Sequence, residues 1–154
     1  MTEFDRDPSR YLPHRPPMLL IDSVEAADGT SARCRVCVGE QCALFLEADG
    51  TYPASLFIEF MAQTVGVYAG VRDAGGEPRV GFLLGSRSVK LAKDTLHEGE
   101  VYDIEAECSF FGEDALPSQF DCRVTEKGVE VARAVLTVFR PAGLEQFIQE
   151  IEKQ

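Results

Sequence analysis

The sequence predicts an α+β fold in which one long central helix is wrapped by a curved antiparallel sheet of five or six strands. Two observations lead there. The run Ala54–Val71 (ASLFIEFMAQTVGVYAGV) is apolar nearly all round, which is the pattern of a helix buried on most sides. Two strand-like segments precede it and four follow, joined by short connections of the kind that link antiparallel neighbours. A sheet covers such a helix on one face only, so a second subunit is expected to cover the rest, with the two sheets joined edge to edge.

The elements follow in order. Tyr11-Leu-Pro-His-Arg-Pro-Pro17 is proline-rich and reads as extended or turning chain, with Met18–Val24 as a first strand. Thr30–Val38 alternates, Ala32, Cys34, Val36 and Val38 on one face and Arg33 and Arg35 on the other, as a half-buried strand does. Asp28-Gly29 between these runs signals a hairpin turn. Leu44–Tyr52, containing Glu47-Ala-Asp-Gly50, reads as a loop, and Pro53 stands near the helix start, where its missing N–H does no harm. The helix runs to about Arg72 and stops at Asp73-Ala-Gly-Gly-Glu-Pro78.

Val80–Leu91, Val101–Phe111, Gln119–Thr125 and Val129–Arg140 then read as a four-stranded antiparallel meander. In the second of these, Tyr102, Ile104, Ala106, Cys108 and Phe110 alternate with Asp103, Glu105, Glu107 and Ser109, so one face of the sheet is wet. Leu144, Phe147, Ile148 and Ile151 fall at helical spacing and predict a short amphipathic helix.

Composition bounds the function. The 154 residues, 45% apolar and 27% charged, suit one globular domain over 1–154. The net charge of −11 opposes nucleic-acid or anionic-membrane binding, which needs clustered Lys and Arg. Polar residues interrupt the apolar run and the first ten residues are polar and acidic, so a cytoplasmic protein without a membrane span is expected. Five cysteines, an odd number, read as free thiols. Cys34 and Cys37 lie three apart in a strand and so point to opposite faces, with no second ligand pair, and neither a metal nor a redox cofactor is expected.

Glu59 is the only charged residue in Ala54–Val71. A carboxylate taken out of water tends to hold a proton instead, which makes it a usable general acid near neutral pH. Ser55, Glu59, Gln63, Gly66 and Gly70 fall on one stripe of the helix. The stripe mixes polar with very small side chains, and Ser55, Gln63 and Gly66 are candidate substrate-binding positions beside Glu59. Tight packing of the helix on another element is the competing explanation for the glycines.

Three stretches carry a family resemblance: Leu12-Pro-His-Arg-Pro-Pro-Met-Leu-Leu-Ile-Asp22, Ile58-Glu59-Phe-Met-Ala-Gln63, and Val89-Lys-Leu through Leu96-His-Glu-Gly-Glu100. They resemble the 3-hydroxyacyl-acyl carrier protein dehydratases of fatty-acid synthesis, over about Tyr11 to Arg140. The chain is similar, more narrowly, to the branch of that superfamily found with aryl-polyene and related polyketide-like clusters. The resemblance implies a hotdog fold, a substrate carried on phosphopantetheine with no other cofactor, and a homodimer or a heterodimer with a related hotdog subunit. It makes Glu59 the carboxylate that works with a loop histidine across the subunit interface, and Gln63 a glutamine of the same motif. That histidine lies fourteen residues before the carboxylate in the family, in a His-Phe-Pro-Gly segment. Phe45 stands there in this chain, and no histidine lies between His14 and His97.

Elimination of water from a 3-hydroxyacyl thioester needs a base for the C2 proton, donors for the enolate-like oxygen and an acid for the departing hydroxyl. Backbone N–H groups at the helix start supply donors, Glu59 an acid, and His14 or a partner residue a base. His97, in a polar hairpin beside Glu98 and Gly99, reads as a surface residue. Three functions fit: a dehydratase using Glu59 with an unconventional base, a half-catalytic or non-catalytic subunit paired with a complete dehydratase, and an acyl-binding or thioesterase-like protein of the same fold. The partner would be an acyl carrier protein or acyl-CoA. Carrier proteins are acidic, so Arg72, Arg79, Arg87, Lys90 and Lys93 form the basic cluster available for docking.

Overall fold

The computed structural model describes residues 4–73, 81–112, 116–141 and 151–152. The expected helix over Leu144–Ile151 and the basic Arg79 therefore lie almost wholly outside the described residues.

One helix, α1 (Leu56–Arg72), packs across a six-stranded antiparallel sheet, the hotdog arrangement. The strands in chain order are β1 (Ser23–Ala27), β2 (Ser31–Cys37), β3 (Tyr52–Pro53), β4 (Phe82–Leu91), β5 (Thr95–Leu96), β6 (Val101–Phe110), β7 (Ser118–Glu126) and β8 (Val129–Phe139). The large sheet runs β1-β2-β6-β7-β8-β4, and β3 pairs with β5 in a separate two-stranded ribbon.

Alternation sets which side of each strand meets the helix. Ala32, Cys34 and Val36 of β2, Tyr102, Ile104 and Ala106 of β6, and Phe120, Cys122 and Val124 of β7 are buried beneath Phe57, Phe60, Met61, Val65 and Tyr68 of α1. Edge-to-face rings join the two layers, Phe57 to Tyr102 at 5.0 Å and Tyr68 to Phe120 at 5.5 Å between centroids. The outer face is charged and paired across strands, Arg35 with Asp103 at 3.0 Å and Arg123 with Glu105 at 2.6 Å. Asp28 closes the β1–β2 turn by accepting from the N–H groups of Thr30 (2.8 Å) and Ser31 (2.9 Å).

Four expectations are corrected. The meander comprises β6, β7 and β8 only, because β4 lies at the far edge beside β8. Met18–Asp22 is not a strand: Leu20 and Ile21 are buried in the core, Met18 O and Leu20 N are bonded to Gln63 of α1, and β1 starts at Ser23. Leu44–Tyr52 is not all loop, since Leu44 and Phe45 belong to the 3-10 helix Glu40–Phe45 and Tyr52 opens β3, which pairs with β5. In β6 a bulge between Cys108 and Phe110 ends the alternation, so Phe110 is exposed and Phe111 packs on the core instead.

Candidate functional site

The glycine stripe of α1 is covered by the chain itself. A Cβ at Gly66 would meet Leu12 Cδ2 at 2.5 Å, and one at Gly70 would meet Tyr11 Cβ at 2.6 Å. The proline-rich segment thus lies along α1 as a strap, with Leu12 fully buried. Gly66 is therefore a packing position for Leu12. The strap also supplies part of the cover for which a second subunit was expected. Its turn is held by Arg15, whose guanidinium donates to the carbonyls of Leu12 (2.8 Å) and His14 (2.7 Å).

Further along, the strap is tied to α1 by Gln63, which is 1% exposed. Its Oε1 accepts from Leu20 N–H at 3.0 Å, and its Nε2 donates to the Met18 carbonyl at 2.8 Å and to Glu59 Oε1 at 3.0 Å. All of these groups are internal, so Gln63 holds the site together and has no donor left for a substrate. Glu59 stands in the first turns of α1 and is half-buried. His14 is half-buried, and its Nδ1 is buried without a hydrogen-bond partner among the described residues.

At the start of α1, Ser55 is exposed and its hydroxyl makes no capping bond. The N–H groups of Phe57 and Ile58 are already bonded, to Ala54 O at 3.0 Å and Ser55 O at 3.1 Å. That leaves the Ser55 and Leu56 N–H groups without a backbone partner among the described residues, one turn before Glu59. Ser55, Glu59 and these donors share one end of the helix, and an acceptor arriving there meets N–H dipoles and a carboxyl together.

The basic residues separate. Lys93 Nζ donates to Glu100 Oε2 (2.7 Å), Tyr102 Oη (2.7 Å) and Glu126 Oε1 (3.0 Å), and lies 5.2 Å from the centre of the Tyr102 ring. Burial works against its charge, but these acceptors outweigh it and raise its pKa. Lys93 is thus engaged within the fold. Arg87 and Lys90 are exposed on β4 with no ion pair among the described residues. Arg72 sits at the end of α1 with its guanidinium 4.1 Å from the centre of the Phe111 ring. His97 is exposed, with Nδ1 3.7 Å from Glu100.

Sequence reasoning missed the β4 edge. This ten-residue strand borders the sheet and exposes Leu83, Leu84, Val89 and Leu91. Long apolar edges recruit other strands unless they are covered. The signal was present as GFLLGSRSVKL, too rich in apolar residues for a strand facing water on both sides. Among the described residues no cluster of metal-binding side chains occurs, and no helix is long and apolar enough to cross a membrane.

A family model described as ApeP-like, ApeP dehydratase, matches residues 6–149. Among solved structures, the dehydratase heterocomplex ApeI:P from Xenorhabdus doucetiae matches with 29% identity and a TM-score of 0.83, covering 94% of this chain and 96% of that one. A hypothetical thioesterase with coenzyme A from Streptococcus pneumoniae matches with 21% identity and a TM-score of 0.57 over 76% and 83% of the two chains. The HP0420-homologue from Helicobacter felis has 8% identity and a TM-score of 0.67 over 94% and 95%. The last two share the fold alone. No curated protein matches.

Proposed function

Since the chain belongs to the ApeP-like dehydratase family, we propose that it takes part in eliminating water from a 3-hydroxyacyl thioester carried on the phosphopantetheine of an acyl carrier protein, as one half of a two-chain dehydratase. The observation that carries this reading is the joint placement, at one helix end, of Glu59 with the N–H groups of Ser55 and Leu56, which have no backbone partner among the described residues. The thioester carbonyl takes the N–H donors, and Ser55 contacts the same end of the substrate. A base removes the C2 proton, electron density moves to the carbonyl oxygen, and the C2–C3 double bond forms as the C3–O bond breaks. Glu59 gives its proton to the departing hydroxyl, which leaves as water, and the proton held by the base restores it.

The base comes from a histidine-bearing hotdog subunit paired along β4. Three observations support this: the loop position carries Phe45 instead of histidine, the outer edge of β4 exposes Leu83, Leu84, Val89 and Leu91 and has no neighbouring strand among the described residues, and a chain of a dehydratase heterocomplex matches over nearly the whole length. His14 is the chain's own alternative, favoured by its buried, unpartnered Nδ1. Arg87 and Lys90 on β4, with Arg72, meet the acidic carrier.

Mass spectrometry of a 3-hydroxyacyl carrier protein incubated with the chain alone, and with a histidine-bearing hotdog partner, tests the reading. Loss of one water in the mixture, abolished by Glu59→Ala, is expected. Dehydration by the chain alone that disappears in His14→Gln would assign the base to His14. Release of free thiol without dehydration would sink the proposal and favour a thioesterase.

A further inference from the structure

The start of α1 is seated from two sides. On one is Tyr102 of β6, fully buried, whose ring meets Phe57 edge-to-face at 5.0 Å between centroids, with 83° between the planes. Phe57 directly follows the Ser55 and Leu56 N–H groups in the chain. On the other is β5, whose Leu96 and Thr95 pair with Tyr52 and Pro53, and Pro53 lies two residues before Ser55. The two N–H groups thus stand between a backbone pairing and a ring contact.

Both sides end on one carboxylate. Tyr102 Oη donates to Glu100 Oε1 at 2.8 Å and accepts from Lys93 Nζ at 2.7 Å. Burial raises the pKa of the phenol, so it keeps the proton it donates. The loop that carries β5 is closed by Lys93 Nζ to Glu100 Oε2 at 2.7 Å and by His97 N–H to Glu100 Oε1 at 2.6 Å. A ring alone would fill the space beneath Phe57; the hydroxyl adds a fixed tip, held by a donor and an acceptor together.

We propose that Tyr102 is a positioning residue for the helix-start donors: its tethered ring holds Phe57, and through Phe57 it sets the direction of the Ser55 and Leu56 N–H groups. This rests on the reading that these groups take the thioester carbonyl. Donors for a developing oxyanion act by being aimed before the charge appears. A ring whose tip is released lets the first turn of α1 shift, and that aim is lost.

Tyr102→Phe removes the tether and keeps the ring. In the complex with a histidine-bearing partner, kcat for dehydration of a 3-hydroxyacyl carrier protein is expected to fall about 10-fold, less than the roughly 10²–10³-fold cost of deleting an oxyanion donor, with KM little changed. In a chain already carrying Phe57→Leu, the same change is expected to add no further loss. The direct readout is the backbone amide resonances of the ¹⁵N-labelled chain within the complex: those of Ser55 and Leu56 move in Tyr102→Phe, while those of Val67 and Ala69, further along α1, stay. Wild-type kcat, unmoved Ser55 and Leu56 resonances, or losses from the two substitutions that multiply would each overturn the proposal. Should Tyr102→Phe not fold, Lys93→Met, which removes the donor to the same hydroxyl, carries the test with the same kcat and amide readouts. If the wild-type complex does not dehydrate, the dehydratase reading falls on its own, and the amide resonances still decide whether Tyr102 sets the helix start.

Discussion

Replacing Lys93 by Met removes one ammonium from between two carboxylates and leaves the side-chain length nearly unchanged. Glu100 is the sensitive partner. Burial alone would raise its pKa, but the Lys93 ammonium, the His97 N–H at 2.6 Å and the Tyr102 hydroxyl at 2.8 Å reverse the sign and lower it from 4.5 to about 2. At 1.36 kcal/mol per unit, that shift corresponds to at most about 3 kcal/mol of stability at neutral pH. Two donors remain in the variant, and Lys93, Glu100 and Glu126 are 20–23% exposed, so the expected loss at pH 7 is about 2 kcal/mol. A lowered carboxyl pKa stabilises the fold above 4.5, and this contribution disappears as pH falls towards 2. Urea unfolding at fixed protein concentration, from pH 7 down to pH 2.5, is therefore expected to show the two curves converging on acidification. A penalty that stays constant across this range would refute the argument, because it would come from packing and not from charge.

Other perturbations probe the strap, the edge and the thiols. Leu12→Ala empties the space over Gly66 and is expected to cost about 2–4 kcal/mol in chemical unfolding; Gly66→Val, which drives into Leu12 Cδ2, is expected to cost about 1–3 kcal/mol. Arg87→Glu with Lys90→Glu should slow association with an acidic carrier and flatten its salt dependence, read by stopped-flow mixing, whereas neutralising Lys93 should leave the salt dependence unchanged. Of the five cysteines, the exposed Cys37 should react first with a thiol reagent at pH 8, identified by peptide mass spectrometry. Cys34, whose thiol burial pushes up to about 12, and Cys122, which burial also raises, should react only on unfolding.

Local patterns were readable and neighbour relations were not. The bounds of α1 followed from proline at one end and glycines at the other, and the buried side of β2 from its alternation, because both depend on residues close in sequence. The crossing of β4 to the far edge did not, since a strand's own pattern does not name its neighbour. Its excess of exposed leucines becomes intelligible only once its place at an edge is known. Gly66 and Gly70 correctly signalled a close approach, but what approaches is the chain's own Leu12 and Tyr11, from more than fifty positions away. Met18–Val24 looked like a strand because apolar residues that lie on a helix and those that lie in a sheet are the same residue types. Lys93 looked free because Glu126, one of its partners, is remote in sequence.

The claim at the centre of the account is that this chain supplies the acid to a site whose base is held by another subunit. The most direct measurement is single-turnover dehydration of a 3-hydroxyacyl carrier protein by two reconstituted complexes, one with Glu59→Gln in this chain and one with the wild-type chain and its partner's loop histidine replaced. The account predicts a loss of at least about 10²-fold in each, with both complexes assembling normally. Full turnover by the complex carrying Glu59→Gln would contradict it and leave this chain a purely structural subunit.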